Sequence, residues 1–181
     1  MSRLSDVSSA AIRGLLGNRV INRAVLIMDA TANAAVSTTN AIEYSVDGVI
    51  YNKAALNDQS IAVTHNWQGV ANTGYVQPVL TTAYYTLGLN SAGTVCCVQG
   101  SYAGQKMSSD PTVGLGQSVM GATWVGDGSI PNIPAGYTAF GVIKVALDGA
   151  ATFTAGTTEL DAVNVTATLY DIGVLPAAAT L

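Results

Sequence analysis

The chain has 181 residues and a net charge of −4; 49% of its residues are hydrophobic and only 10% are charged. That length suits one domain plus an extension, and a charge content so far below the usual ~25% argues that partner subunits cover much of the surface. Arg3, Arg13, Arg19 and Arg23 against Asp6 and Asp29 leave +2 on residues 1–29, while three lysines and nine acids leave −6 on residues 30–181; this is too dilute a basic face for nucleic acid, and no apolar run approaches the ~18 residues of a membrane span.

The N-terminal stretch SDVSSAAIRGLL (5–16) can form a short helix. Ser5 is placed to cap it, and Ala10, Ala11, Leu15 and Leu16 supply propensity, which Gly14 and Gly17 weaken. The beginning has no continuous apolar core of the signal-peptide type. VINRAVLIM (20–28) reads as a strand or an extended arm, and ATANAAVSTTN (30–40) as a loop or linker. Residues 1–40 are therefore expected to be an arm and linker, and residues 41–181 a β domain. A basic arm on an acidic body would hook a neighbour electrostatically, through Arg13, Arg19 and Arg23. Val25 and Ile27, in the apolar run before Asp29, could add a strand to that neighbour.

IEYSVDGVIYNK (42–53) predicts a hairpin. Asp47-Gly48 is a two-residue turn signal, and it sets Val46 opposite Val49, Ser45 opposite Ile50 and Tyr44 opposite Tyr51. Ile42, Tyr44, Val46, Val49 and Tyr51 then share the core face. Within residues 56–80 a short strand is expected at Ile61–Val63, the rest of Gln59–Gln77 reads as a surface excursion, and Pro78 limits pairing there. A second hairpin spans residues 83–102, turning at NSAG (90–93). Residues 103–119 are loop-like. Further strands are expected at MGATWVG (120–126), YTAFGVIKVAL (137–147), TFTAG (152–156) and VNVTATLYDI (163–172). Short strands punctuated by turn signals predict an all-β chain, an antiparallel β-sandwich or a jelly-roll-like barrel.

Chemistry-bearing residues are sparse. His65 is the single histidine, and Cys96 and Cys97 are adjacent, which on a strand sends them to opposite faces as reduced thiols. They do not give the spaced ligand set that zinc needs. Asp47, Asp58, Asp110, Asp127, Asp148, Glu159 and Asp161 fall in loops and turns, where Asp is favoured for backbone reasons. Gly114-Leu115-Gly116 has no strand–loop–helix context for phosphate. No catalytic residue, metal or cofactor is expected, and the chain does not read as an enzyme. Trp67, Tyr75, Tyr84, Tyr85, Tyr102 and Trp124 suit core or subunit-interface anchors, or a sugar-binding face.

In the C-terminal half, Gly136-Tyr137-Thr138-Ala139-Phe140-Gly141-Val142-Ile143-Lys144-Val145 is followed by Phe153-Thr154-Ala155-Gly156-Thr157-Thr158-Glu159-Leu160-Asp161-Ala162. This pairing resembles the close of structural proteins from tailed bacteriophages, and the Tyr44–Lys53 hairpin and the LNSAGTV stretch (89–95) fit the same pattern. The resemblance covers about two-thirds of the chain and leaves out the first 40 residues. It implies a β-sandwich of the virion, often a capsid decoration (cement) protein that clusters as a homotrimer. Such a protein binds the major capsid protein on the outer surface of the head. A tail or fibre-base protein that binds host glycan is the alternative.

Alternation along Tyr137–Leu147 puts Tyr137, Ala139, Gly141, Ile143, Val145 and Leu147 on one face. It puts Thr138, Phe140, Val142, Lys144 and Ala146 on the other. Both faces are largely apolar, so Phe140 and Val142 are expected to meet a neighbouring subunit.

Overall fold

The computed structural model describes residues 17–30, 33–65, 71, 76–100, 103–104 and 130–172. Among these the chain is all-β, and its strands form three antiparallel sheets, none closed into a barrel. The largest sheet has β11 (Val165–Asp171), β10 (Tyr137–Leu147), β7 (Thr81–Asn90) and β8 (Val95–Gln99) in that order, with β9 (Ala103–Gly104) also on β7. A second sheet is β1 (Arg19–Val20), β4 (Ile42–Val46) and β5 (Val49–Lys53). A third is β2 (Leu26–Met28), β3 (Ala35–Thr38) and β6 (Gln59–Ser60). One continuous core joins them: Val20, Leu26, Val36, Ile42 and Tyr44 from the small sheets meet Tyr85, Leu87, Leu89, Phe140 and Ile143 from the large one. This is a sandwich in which two small sheets face one large sheet.

The first hairpin forms in the expected register, with Tyr44 opposite Tyr51, Ser45 opposite Ile50 and Val46 opposite Val49. Asp47 and Gly48 take φ of 50° and 75°, the left-handed pair that a two-residue turn requires. The second hairpin joins β7 to β8 through Ser91–Thr94, with Gly93 at φ 73°. The two hairpins are tied together by the Tyr44 hydroxyl, which donates to the Asn90 carbonyl at 2.8 Å.

Several expectations change. From residue 17 onward, the stretch read as an arm belongs to the body: β1 pairs with β4, β2 pairs with β3, and Val20, Ala24 and Leu26 are buried. The supposed linker contains β3, whose four residues are all buried between β2 and β6. Its side chains are small and partly polar, so it carries no apolar signal. Ser37 is satisfied by donating to the Asp29 carboxylate, and the Thr38 hydroxyl by the Leu56 amide at 2.9 Å. TFTAG forms no strand. Phe153 makes one bridge to Gln77, and the chain then turns, with the amides of Thr157 and Thr158 both donating to the Thr154 carbonyl. The expected helix at 5–16 and the expected strand at 120–126 lie outside the described residues.

The alternation drawn along β10 breaks at a β-bulge. Ala139 pairs with Gly88 and Gly141 with Leu87, so Phe140 is the extra residue. The bulge turns Phe140 to the same side as Ile143, into the core. The approach to β10 also has a place in the fold. Residues 131–135 cross the outer face of β7, where the Pro131 carbonyl accepts the Thr86 hydroxyl at 3.0 Å. A Cβ on Gly88 would lie 2.5 Å from Ile133 Cδ1, so Ile133 occupies the space that glycine leaves.

Candidate interaction surface

Polar groups inside the sandwich are spoken for by the fold. Tyr85 donates to Gln77 Oε1 at 3.0 Å and accepts from Gln99 Nε2 at 3.3 Å, while Gln77 Nε2 donates to the carbonyls of Val145 and Thr81. Among the described residues no buried side-chain N or O atom lacks a partner, and no three His, Cys, Asp or Glu side chains converge to hold a metal ion. His65 Nδ1 lies 2.9 Å from the Thr64 hydroxyl, and its ring meets the edge of Tyr137 at 5.9 Å. Both thiols are free and buried. Burial pushes the Cys96 thiol up to about 11. Burial, and then the neighbouring Cys96, push Cys97 higher still. Neither is poised as a nucleophile.

The surface carries more information. β5 is an edge strand of its sheet, and its Val49 and Ile50 are exposed, Ile50 by 58%. β2 presents Ile27 outward at 46% exposure. At one end of the large sheet, Val79, Leu80 and Val163 are exposed, and Leu80 holds a φ of 59°, an uncommon conformation for a bulky side chain. Between β1 and the start of β10 lies a groove of about 390 Å³ walled by Val20, Ile133, Tyr137, Ala139 and Ile172. Asn18 Nδ2 reaches across it to the Tyr137 carbonyl at 3.3 Å.

The residues expected to bind partners fall in different places. Arg13 lies outside the described residues. Arg19 is exposed on β1 at the rim of the groove. Arg23 is engaged within its own chain, its Nε 3.0 Å from Asp171. Val25 is half-buried at φ 56°, where the chain bends into β2, and Ile27 is exposed on that strand. Phe140 is fully enclosed by its own chain, and Val142 is 5% exposed beside Thr86 and Tyr170. The described ones among these residues do not form one exposed patch, since Phe140 and Val142 are buried. Of these surface features, Ile50 is legible in the sequence, because the Asp47-Gly48 register sets it on the face opposite Tyr44. The groove is not, because its walls come from residues more than a hundred positions apart.

Comparison of the chain with protein-family models, with curated protein sequences and with solved structures found no match.

Proposed function

We propose that this chain is a structural component of a tailed-phage virion: a decoration protein that binds the outer face of the head between major capsid subunits and stabilises the shell. The observation that carries the reading is the set of large apolar side chains left on strand edges and ends, Ile50 and Val49 on β5 and Ile27 on β2, in a chain with one charged residue in ten. Such edges suit packing against other subunits. The resemblance supports the same reading, since its segments fall on β10, on the 154–158 turn and on the two hairpins. The mechanism is binding alone. A protein that binds only the assembled shell stabilises it by mass action, by about 2.7 kcal/mol per site at a hundredfold excess over Kd. Self-association as a homotrimer would multiply the contacts.

The test is the copy number of this chain per purified virion, by quantitative mass spectrometry. Hundreds of copies support head decoration. A handful to a few tens would move the protein to the tail, and none would overturn the virion reading. Because residues 19–28 belong to the sandwich, the contribution of the N-terminal segment is tested by deleting residues 1–16 only. Weaker loading on capsids is the expected result.

A further inference from the structure

We infer that the outer face of the large sheet, where Lys144 stands among Thr82, Tyr84, Thr166, Thr168 and Tyr170, is a binding platform for an acidic polysaccharide. The register brings these side chains together. On β10, Ile143 and Val145 enter the core, so Lys144 points away from it. Lys144 lies between Tyr84 of β7 and Thr168 of β11, and the next row holds Thr82, Ala146 and Thr166. Tyr170, opposite Val142, closes the other end. Thr166, Thr168 and Tyr170 are exposed, and Thr82, Tyr84 and Lys144 are half-buried. Past Val142 the face is covered, because residues 131–135 cross over Thr86 and Gly88. The open part spans ~10 Å across three strands and ~14 Å along β11.

Charge sets the sign of the ligand. The five strands of the large sheet hold two charged residues, Lys144 and Asp171. Asp171 is turned to the small sheets, where it bonds Arg23 and the Leu26 amide. Lys144 is on an interior strand of the sheet, so it does not serve to block an edge. Among the described residues no carboxylate pairs with it. An ammonium partly withdrawn from water, with no counter-ion of its own, favours an anionic group from outside.

The rest of the face suits a sugar better than a peptide. The three threonines and two tyrosines present five hydroxyls, each both donor and acceptor. Among the described residues none of the five is engaged. The rows themselves expose no aliphatic side chain larger than alanine, and the backbone of β10 is paired on both sides here. A peptide would find neither apolar anchors nor main-chain partners. A polyol would find hydroxyls, and tyrosine rings for its C–H surfaces, while a sugar carboxylate would meet Lys144. The apolar side chains assigned to subunit packing, Ile27 and Ile50, belong to the opposite layer of the sandwich. The inference therefore does not rest on the virion reading. Each contact is open to water and weak, so a millimolar Kd is expected for one chain, and tighter binding wherever copies are arrayed.

Amide chemical shifts of the isotope-labelled full-length protein, titrated with a galacturonic acid tetramer, test it. Shifts should be confined to Thr82–Tyr84, Lys144–Ala146 and Thr166–Tyr170. Lys144→Gln should weaken binding about tenfold, and Tyr170→Ser about threefold. Ile50→Lys should leave binding unchanged. A neutral glucose tetramer should bind at least about fivefold more weakly than the acidic one. Absence of shifts on these strands up to about 20 mM sugar overturns the proposal. So does equal binding of the neutral tetramer, which removes the part given to Lys144. Stronger binding of a tetraglutamate peptide also overturns it, and would assign the face to an acidic protein. If either variant disturbs the β4–β5 hairpin, the three probes on the unmodified chain decide.

Discussion

Asp171 holds the backbone of Leu26. One carboxylate oxygen accepts the Leu26 amide at 2.6 Å and the other accepts Arg23 Nε at 3.0 Å, across 145 residues of sequence. The bond sets β2 beside the end of β11 and drops Leu26 over Gly141, where its Cδ2 lies 2.8 Å from the position a Cβ would take. The two bonds are unequal. The arginine side chain is 73% exposed and the aspartate 11%, so the ion pair is screened, whereas the Leu26 amide has half-buried surroundings. Arg23→Ala should cost no more than ~1 kcal/mol. Asp171→Ala, which strips the amide of its acceptor, should cost about 1–3 kcal/mol. Urea unfolding of the two variants checks the order, and equal losses would mean that the amide bond contributes little.

Gly156 combines a left-handed backbone with no room for a side chain. It sits at φ 79°, and a Cβ there would lie 2.7 Å from the Ala62 backbone nitrogen. Gly136 has the same φ and open space around it. Gly136→Ala should therefore cost only the left-handed penalty of about 1–2 kcal/mol. Gly156→Ala should exceed it by a further ~1–3 kcal/mol, because backbone cannot step aside as a side-chain tip can. Thermal unfolding of the pair separates conformational strain from steric clash.

Alkaline pH should loosen the fold through the buried thiols. The Cys96 thiol rises from 9.0 to about 11 on folding, and Cys97 rises further for want of solvation. The unfolded chain thus releases these protons first. The stability is fully present below pH 9 and is lost as pH rises through about 11 and beyond. Melting temperature followed upward from neutral pH should fall across that window. Replacing both cysteines by alanine should flatten this part of the fall, and an unaltered slope would place its origin elsewhere.

Ile50 offers the most direct probe of assembly. It is exposed on an edge strand and faces away from the core. Ile50→Lys should leave stability within about 0.5 kcal/mol of the parent and reduce loading on capsids, because a lysine on an edge opposes further packing. Loading at parental levels would exclude this edge from the contact.

What could be read from the sequence was local. Asp47-Gly48 and the NSAG turn select their own backbone conformations, and each hairpin register follows within a few residues. The long β10 and β11 were legible for a similar reason: apolar, β-branched runs have few alternatives. Phe140 departs from the expected alternation, which holds only while every residue pairs. One unpaired residue reverses it, and what fills the space left at the neighbouring Gly141 is Leu26, distant in sequence.

Composition and turn chemistry alone therefore determined an all-β chain, two hairpins and the buried character of the central strands. Tertiary structure decided that Ala35–Thr38 is a strand, that residues 19–28 belong to the body, and that a groove opens between β1 and β10. Each depends on partners farther along the chain: Thr38 on Leu56 and Ala35 on Ser60 of β6, Leu26 on Asp171, Asn18 on Tyr137. A short segment of small or polar residues has too little apolar surface to specify its own place. Its backbone groups take the conformation of whichever strand satisfies them, and only the assembled sandwich supplies that strand.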